Sequence, residues 1–320
     1  MFRCIRCLKE FDDSARSEEH IFPESIGGTI SIYDICKPCN SNFGSKVDGP
    51  FINNWLIDSR RMTLGLAGKS GHVPNPLENG VMGEDPKHKV KYIIDNGVPQ
   101  GLFTVPSVEH GTDENGNPII SIKLDKSDED KLPEILETLK SRLARDGKKA
   151  EFKTVNRQDV RIEKPLVHQQ FKFDMWSWQR GIIKIAYELA YRFIGPSYLD
   201  DPVAHTLREI LLPDDVDEGT FKKHPVRGTI ELAANKQDFA FLDDPNSLYG
   251  ALLHLNGMLI CMVKIFDVFQ GKLVVTEHFQ GTTPLEGNVI RIDVAKKETL
   301  EMPYYDYLAM MFPDDSPNGI

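Results

Sequence analysis

No stretch of this chain is apolar for long enough to cross a membrane. The most apolar segment, Met258 to Val263, is bounded by Gly257 and Lys264, far short of the roughly 18 apolar residues a span needs. Residues 1–11 mix Cys, Arg, Lys and Glu with apolar residues and lack the apolar stretch of a secretory leader, so a cytoplasmic protein is expected. Positive charge is also scarce. The 38 Lys and Arg face 48 Asp and Glu, a net charge of -10, which excludes wholesale attraction to nucleic acid and confines any such contact to a local patch. The chain has no internal repeat, phosphate loop or dinucleotide fingerprint. What remains is a globular composition, 40% hydrophobic over 320 residues, long enough for two or three domains.

Cysteine is rare too, but its placement is informative. Four of the five cysteines form two Cys-x-x-Cys pairs, Cys4/Cys7 and Cys36/Cys39, while Cys261 stands alone in an apolar, strand-like run. In a reducing compartment, paired units of this kind favour a four-thiolate zinc site over disulfides. The 28 residues between the pairs exceed the roughly 15 to 20 of a minimal zinc ribbon, so the pairs bracket a folded insert.

Gly and Pro crowd the segment from Gly65 to Pro86, which punctuates regular structure. We therefore expect a metal-bearing module over 1–60, a linker over 61–88 and a larger α+β domain over 89–320. In that domain the patterns predict strands over Lys89–Ile94 and Pro118–Leu124, with Asp113–Pro118 as a hairpin turn. Ser127 and Asp130 open a helix carrying Leu132 to Leu143, and a stronger core helix runs from about Met175 to Ile194, stopped by Gly195. Ala204–Leu211 is a shorter helix and Asp214–Glu218 a solvated acidic loop. Strands are expected over Gly228–Leu232, Leu252–Phe266, Leu273–Thr276 and Val289–Ile292.

Inside the cysteine-bracketed insert stands Ser17-Glu-Glu-His-Ile-Phe-Pro-Glu-Ser-Ile-Gly-Gly28. On an extended segment Glu19 and His20 point to opposite sides, so one can bind a metal while the other faces a water or a substrate. Asn40, directly after the second cysteine pair, can offer its carbonyl oxygen to the same ion. Glu-His also occurs at Glu109-His110 and Glu277-His278, so the dipeptide says little; only the first copy lies between the cysteine pairs and precedes Pro and Gly-Gly. The other two read as ordinary surface positions.

Taken in order, Cys-Ile-Arg-Cys, Glu-His-Ile-Phe-Pro-Glu-Ser-Ile-Gly-Gly and Cys-Lys-Pro-Cys-Asn-Ser-Asn-Phe-Gly-Ser-Lys-Val-Asp resemble the HNH endonuclease family in its zinc-ribbon-supported form, over about residues 1–50. The resemblance implies a ββα-metal fold, in which a hairpin and a helix hold one divalent ion and the zinc site staples them together. By position it implies that Glu19 and Asn40 ligate that ion and that His20 is the general base. Ser31 stands where members of this type often carry an Asn that supports the histidine. The third metal position falls on Gly44, which has no ligating side chain, and Asp48 is the nearest acidic substitute.

Hydrolysis of a DNA phosphodiester needs an activated water and relief of charge on the phosphate. Histidine, which titrates near neutrality, suits the first task, and a cation the second. Hard oxygen ligands favour Mg2+, with Mn2+ as a substitute. RNA is an alternative substrate, and a non-catalytic zinc-ribbon interaction module an alternative function. Double-strand cleavage would call for a homodimer or two successive events, and such architectures imply roles in restriction or anti-phage defence beside partner proteins. Residues 1–60 hold seven basic against nine acidic residues, so DNA must be gripped elsewhere. Lys140, Arg142, Arg145, Lys148, Lys149 and Lys153 form the densest basic run and the candidate phosphate surface. Trp176, Trp178, Tyr187 and Tyr191 read as packing residues of the long helix.

Overall fold

The structure is a computed structural model that describes residues 1–312 except 69–70, 84, 86, 96, 146, 148–150, 155, 234–243 and 280–286. The chain is of mixed α+β class and forms two compact units. One combines Met1–Pro74 with Lys172–Ile320, and the other is Asn75–Phe171. The border at Pro74/Asn75 falls inside the Gly- and Pro-rich stretch, but the chain returns to the first unit at Lys172, so residues 89–320 do not form one unit.

The first unit begins with a small hairpin, β1 (Phe2–Arg3) and β2 (Glu10–Phe11), whose turn carries the first cysteine pair. Next come β3 (Arg16–His20) and β4 (Ser31–Cys36), paired antiparallel with His20 opposite Ser31 and Glu19 opposite Ile32. Helix α1 (Lys37–Phe43) follows at once, with Cys36 as its N-cap and a proline in its first turn, where a missing N–H is harmless. A wider π-type turn over Gly44–Asp48 leads into α2 (Gly49–Ile52) and α3 (Trp55–Leu64). The Gly-Gly of the motif is a packing requirement: Gly27 adopts a left-handed φ of 92°, and a Cβ on Gly28 would lie 1.8 Å from the Phe22 carbonyl oxygen.

The second unit, taken by itself, is a sheet of β5 (Gly80–Met82), β6 (Lys89–Asp95), β7 (Val98–Thr104) and β10 (Val167–Gln169), with a separate hairpin of β8 (Ser107–Thr112) and β9 (Pro118–Lys123) and a helix α4 (Leu132–Arg145). The turn at Asp113–Pro118 joins β8 to β9. The Asp125 side chain accepts from the Ser127 backbone N–H ahead of α4, so the N-terminal cap falls on Asp125 rather than on Ser127.

Back in the first unit, α5 spans Met175–Ile194, capped by Asp174, whose carboxylate accepts from the Trp176 and Ser177 N–H groups. Then come α6 (Pro202–Leu211), α7 (Glu218–Lys223) and a six-stranded antiparallel sheet ordered β11 (Gly228–Leu232), β14 (Phe269–Thr276), β13 (Met258–Ile265), β12 (Ser247–Leu255), β15 (Asn288–Asp293), β16 (Glu298–Pro303), with α8 (Tyr304–Met311) after it. The apolar stretch expected as one strand over 252–266 is a hairpin. Asn256 and Gly257 take positive φ values of 52° and 81°, the two-residue turn that matches strand twist. One face of the sheet, including Leu248 and Leu252, joins α5, α6 and the N-terminal segment in a single core; Tyr249, Ala251, Met262 and Val289 on the other face pack with Tyr307 of α8. The N-terminal segment is thus built onto α5: Phe22, Phe43 and Phe51 share the core with Ile182, Ile185 and Leu189. Gly181 permits the closest approach, since a Cβ there would lie 2.3 Å from the Phe51 ring.

Candidate active site

Cys4, Cys7, Cys36 and Cys39 are brought together, with all four sulfurs within 4.8 Å of one another. A tetrahedral zinc with sulfurs at about 2.3 Å sets them roughly 3.8 Å apart, so the cluster fits that ion. The backbone assists: the Cys36 N–H donates to Cys4 Sγ at 3.5 Å. Burial works to raise the Cys4 thiol, but N–H groups of Cys7, Cys36 and Arg6 outweigh it and draw it below the usual range. Burial drives Cys39 strongly upward. The fold itself therefore favours the Cys4 thiolate, whereas burial raises Cys7 and Cys39 and opposes their ionisation until a cation is bound. Among the described residues this is the only cluster of three or more His, Cys, Asp or Glu side chains arranged for a metal ion.

The pleat of β3 separates two environments, as alternation requires. On the more open face are Glu18, His20, Ser31, Tyr33 and Asn40. Ser31 Oγ lies 3.3 Å from His20 Nδ1 and donates to Glu18 Oε1 at 2.9 Å. Tyr33 donates to the same carboxylate oxygen at 3.3 Å. A serine hydroxyl has one proton, and here Glu18 takes it. Ser31 therefore accepts from His20 Nδ1–H, which leaves Nε2 as the basic nitrogen. Asn40 braces the same strand, its Nδ2 donating to Ser17 Oγ at 2.9 Å and to the Glu18 carbonyl at 2.5 Å.

The other face is buried. Glu19 is 3% exposed and Lys184 of α5 is completely enclosed. The Lys184 ammonium pairs with Glu19, lies 3.2 Å from Asp48 and 3.4 Å from Glu188, and donates to the His20 carbonyl oxygen at 2.8 Å. Burial alone would lower the Lys184 pKa; Asp48, Glu188 and Glu19 outweigh it and raise it. Burial raises Glu188 well above the carboxylate range, and it raises Asp48 against the opposing pull of Lys184 and His20.

The cation that Glu19 and Asp48 face is thus an ammonium from 136 residues beyond Asp48. As placed, this pair does not fit a divalent ion, and Asn40 turns its amide nitrogen to β3 rather than toward them. Glu18 is a residue the motif does not single out, although period-two alternation puts it on the same face as His20. Lys184 is another; its signal is a Lys and a Glu four residues apart in the otherwise apolar middle of α5, from Gly181 to Tyr191.

The remaining expectations fall as follows. Trp178 is buried and stacks on Phe269 with centroids 4.7 Å apart. Trp176 packs on Phe221. Tyr187 donates to the Ile5 carbonyl at 2.5 Å and Tyr191 to Asp34 at 2.6 Å. The acidic loop after α6 is anchored: the buried Arg180 guanidinium donates to the carbonyls of Leu211, Pro213 and Asp214, and also to that of Lys46. Lys140, Arg142, Arg145 and Lys153 are all exposed in the second unit, while Lys148 and Lys149 lie outside the described residues. Glu109-His110 lies on β8, and Glu277 pairs with Arg227 at 3.0 Å.

A hairpin and a helix meet at four clustered cysteines that fit a zinc ion, and a histidine lies on the open face of the hairpin. Residues 4–56 match the model of the HNH endonuclease family, so the chain carries an N-terminal HNH segment. No curated protein and no solved structure matches the chain. No helix among the described residues is long and apolar enough to cross a membrane.

Proposed function

We propose that the chain is an endonuclease or nickase that hydrolyses DNA phosphodiester bonds, with His20 as general base. The observation that carries this reading is the Glu18–Ser31–His20 chain on the open face of an HNH segment. It fixes the tautomer, so Nε2 can take a proton from the attacking water. Ser31 and Glu18 hold the ring, and Asn40 ties α1 to the strand that bears it. The four-cysteine site is structural and takes zinc. A divalent ion, Mg2+ or Mn2+, is the expected requirement of the family's chemistry, but Glu19 and Asp48, engaged by Lys184, do not fit it as placed.

The test is incubation of the full chain with supercoiled plasmid, with and without Mg2+, Mn2+ and a chelator, beside His20→Ala. We expect nicking that His20→Ala abolishes with zinc content and melting unchanged. Equal cleavage by the variant refutes the assignment, and a parallel RNA substrate decides between nucleic acids. The engagement of Glu19 and Asp48 by Lys184 favours a second reading, a non-catalytic zinc-ribbon interaction module; absence of cleavage under every metal condition would select it.

A further inference from the structure

We propose that Lys184, on a helix outside the HNH segment, is a positioning residue for His20, and that Glu19 and Asp48 serve to hold its ammonium. This deepens the reading above and rests on it for the role of His20. Oxygens of four residues converge on one buried nitrogen: Glu19, Asp48 and Glu188 through their side chains, and His20 through its backbone carbonyl. The carbonyl contact is the informative one. An ammonium needed only to neutralise acids would be satisfied by carboxylates, whereas this one donates to the main chain of the residue that carries the imidazole. A lysine has three donors in a compact head, so fixing two of them on Glu19 and Asp48 aims the third.

The helix is itself fixed to the segment at other points. Arg180 donates to the Lys46 carbonyl at 3.1 Å, Tyr187 to that of Ile5, and Gly181 lies against Phe51. These contacts place α5 independently of Lys184. Loss of the ammonium therefore alters the height and tilt of β3 at His20 more than the docking of the helix. Such a displacement leaves substrate binding intact and misdirects the base.

The experiment uses the full chain with labelled histidine and the variants Lys184→Met, Glu19→Gln and the double variant Lys184→Met/Glu19→Gln, each checked for zinc content and melting. The His20 ring resonances are assigned by their loss in His20→Gln. The proposal expects them to shift in folded Lys184→Met and, by less, in Glu19→Gln. On plasmid, it expects kcat of Lys184→Met to fall about 100-fold, the scale of a misplacement of about 1 Å, with KM nearly unchanged. If Lys184→Met does not fold, the double variant, which leaves fewer unpaired charges, carries the measurement. His20 resonances like those of the wild type in a folded variant without the ammonium overturn the proposal, as does a loss of activity lying wholly in KM. A wild-type chain that cleaves nothing defeats the nuclease reading, while the resonances still decide the role of Lys184.

Discussion

The HNH segment is braced at two ends, by a four-cysteine cluster that fits a zinc ion and by a buried ammonium. At one end four thiolates surround the place of a metal, and all four come from the first 39 residues. At the other, three carboxylates and a carbonyl surround an ammonium contributed by a helix 164 residues away from His20. The first site is coded locally, in a spacing that has little meaning except metal chelation. The second is coded across the fold, in residues that separately look like surface acids and a helix lysine. The two also differ in what they brace: the thiolate site ties β1–β2 to α1, whereas the ammonium reaches the backbone of His20.

The largest effect should come from the thiolate end. Cys36→Ser is expected to lose stoichiometric zinc and to unfold the segment, since structural zinc contributes on the order of 10 kcal/mol to folding; metal analysis and near-ultraviolet dichroism check it. Next, Lys184→Met leaves buried acids without their cation and should destabilise the first unit by about 3–5 kcal/mol, as removal of one member of a buried ion pair does. Denaturant melts should show the Lys184→Met/Glu19→Gln variant recovering some of that loss. If Lys184→Met matches Cys36→Ser in both zinc loss and unfolding, the two ends are not separable and the contrast fails.

Gly181→Ala drives a methyl into the Phe51 ring, and overpacking of this kind costs about 1–3 kcal/mol by equilibrium melts. Ser31→Ala is expected to leave melting nearly unchanged and to lower kcat about tenfold, the lower range for loss of a group that orients an active-site histidine. The smallest effect belongs to Glu188→Gln. Burial raises the Glu188 carboxyl in the fold, so the stability it contributes is full below its unfolded pKa and is lost as pH rises through the folded value. Glutamine escapes that loss. Melts at pH 5 and pH 8 should therefore show the variant gaining on the wild type toward pH 8.

The sequence marked the thiolate site because ligand identity and spacing are both local. It marked α5 between Met175 and Ile194 because Trp178, Ile182, Ile185 and Leu189 repeat at helical spacing and Gly195 ends the helix. The hairpin at Asn256-Gly257 was hidden inside an apolar run whose two strands are both buried, so alternation gave no boundary and only the turn dipeptide did. Glu18 and Glu19 illustrate a further limit. Alternation separates their directions without telling which side faces solvent, and that is decided by where α5 lies. The places of β11 and β15 in the large sheet were not legible either, because each pairs with a strand that is not its neighbour in sequence, β14 and β12, whereas β12–β13–β14 and β15–β16 follow one another through short turns.

The reach from His20 to Lys184 also sets an order of events during synthesis. The cysteine pairs and the His20 hairpin emerge from the ribosome first and can gather their metal early. The lysine beneath the histidine arrives 164 residues later. A nascent chain organised in this way leaves the strand that carries His20 without its buried ammonium until α5 has been made.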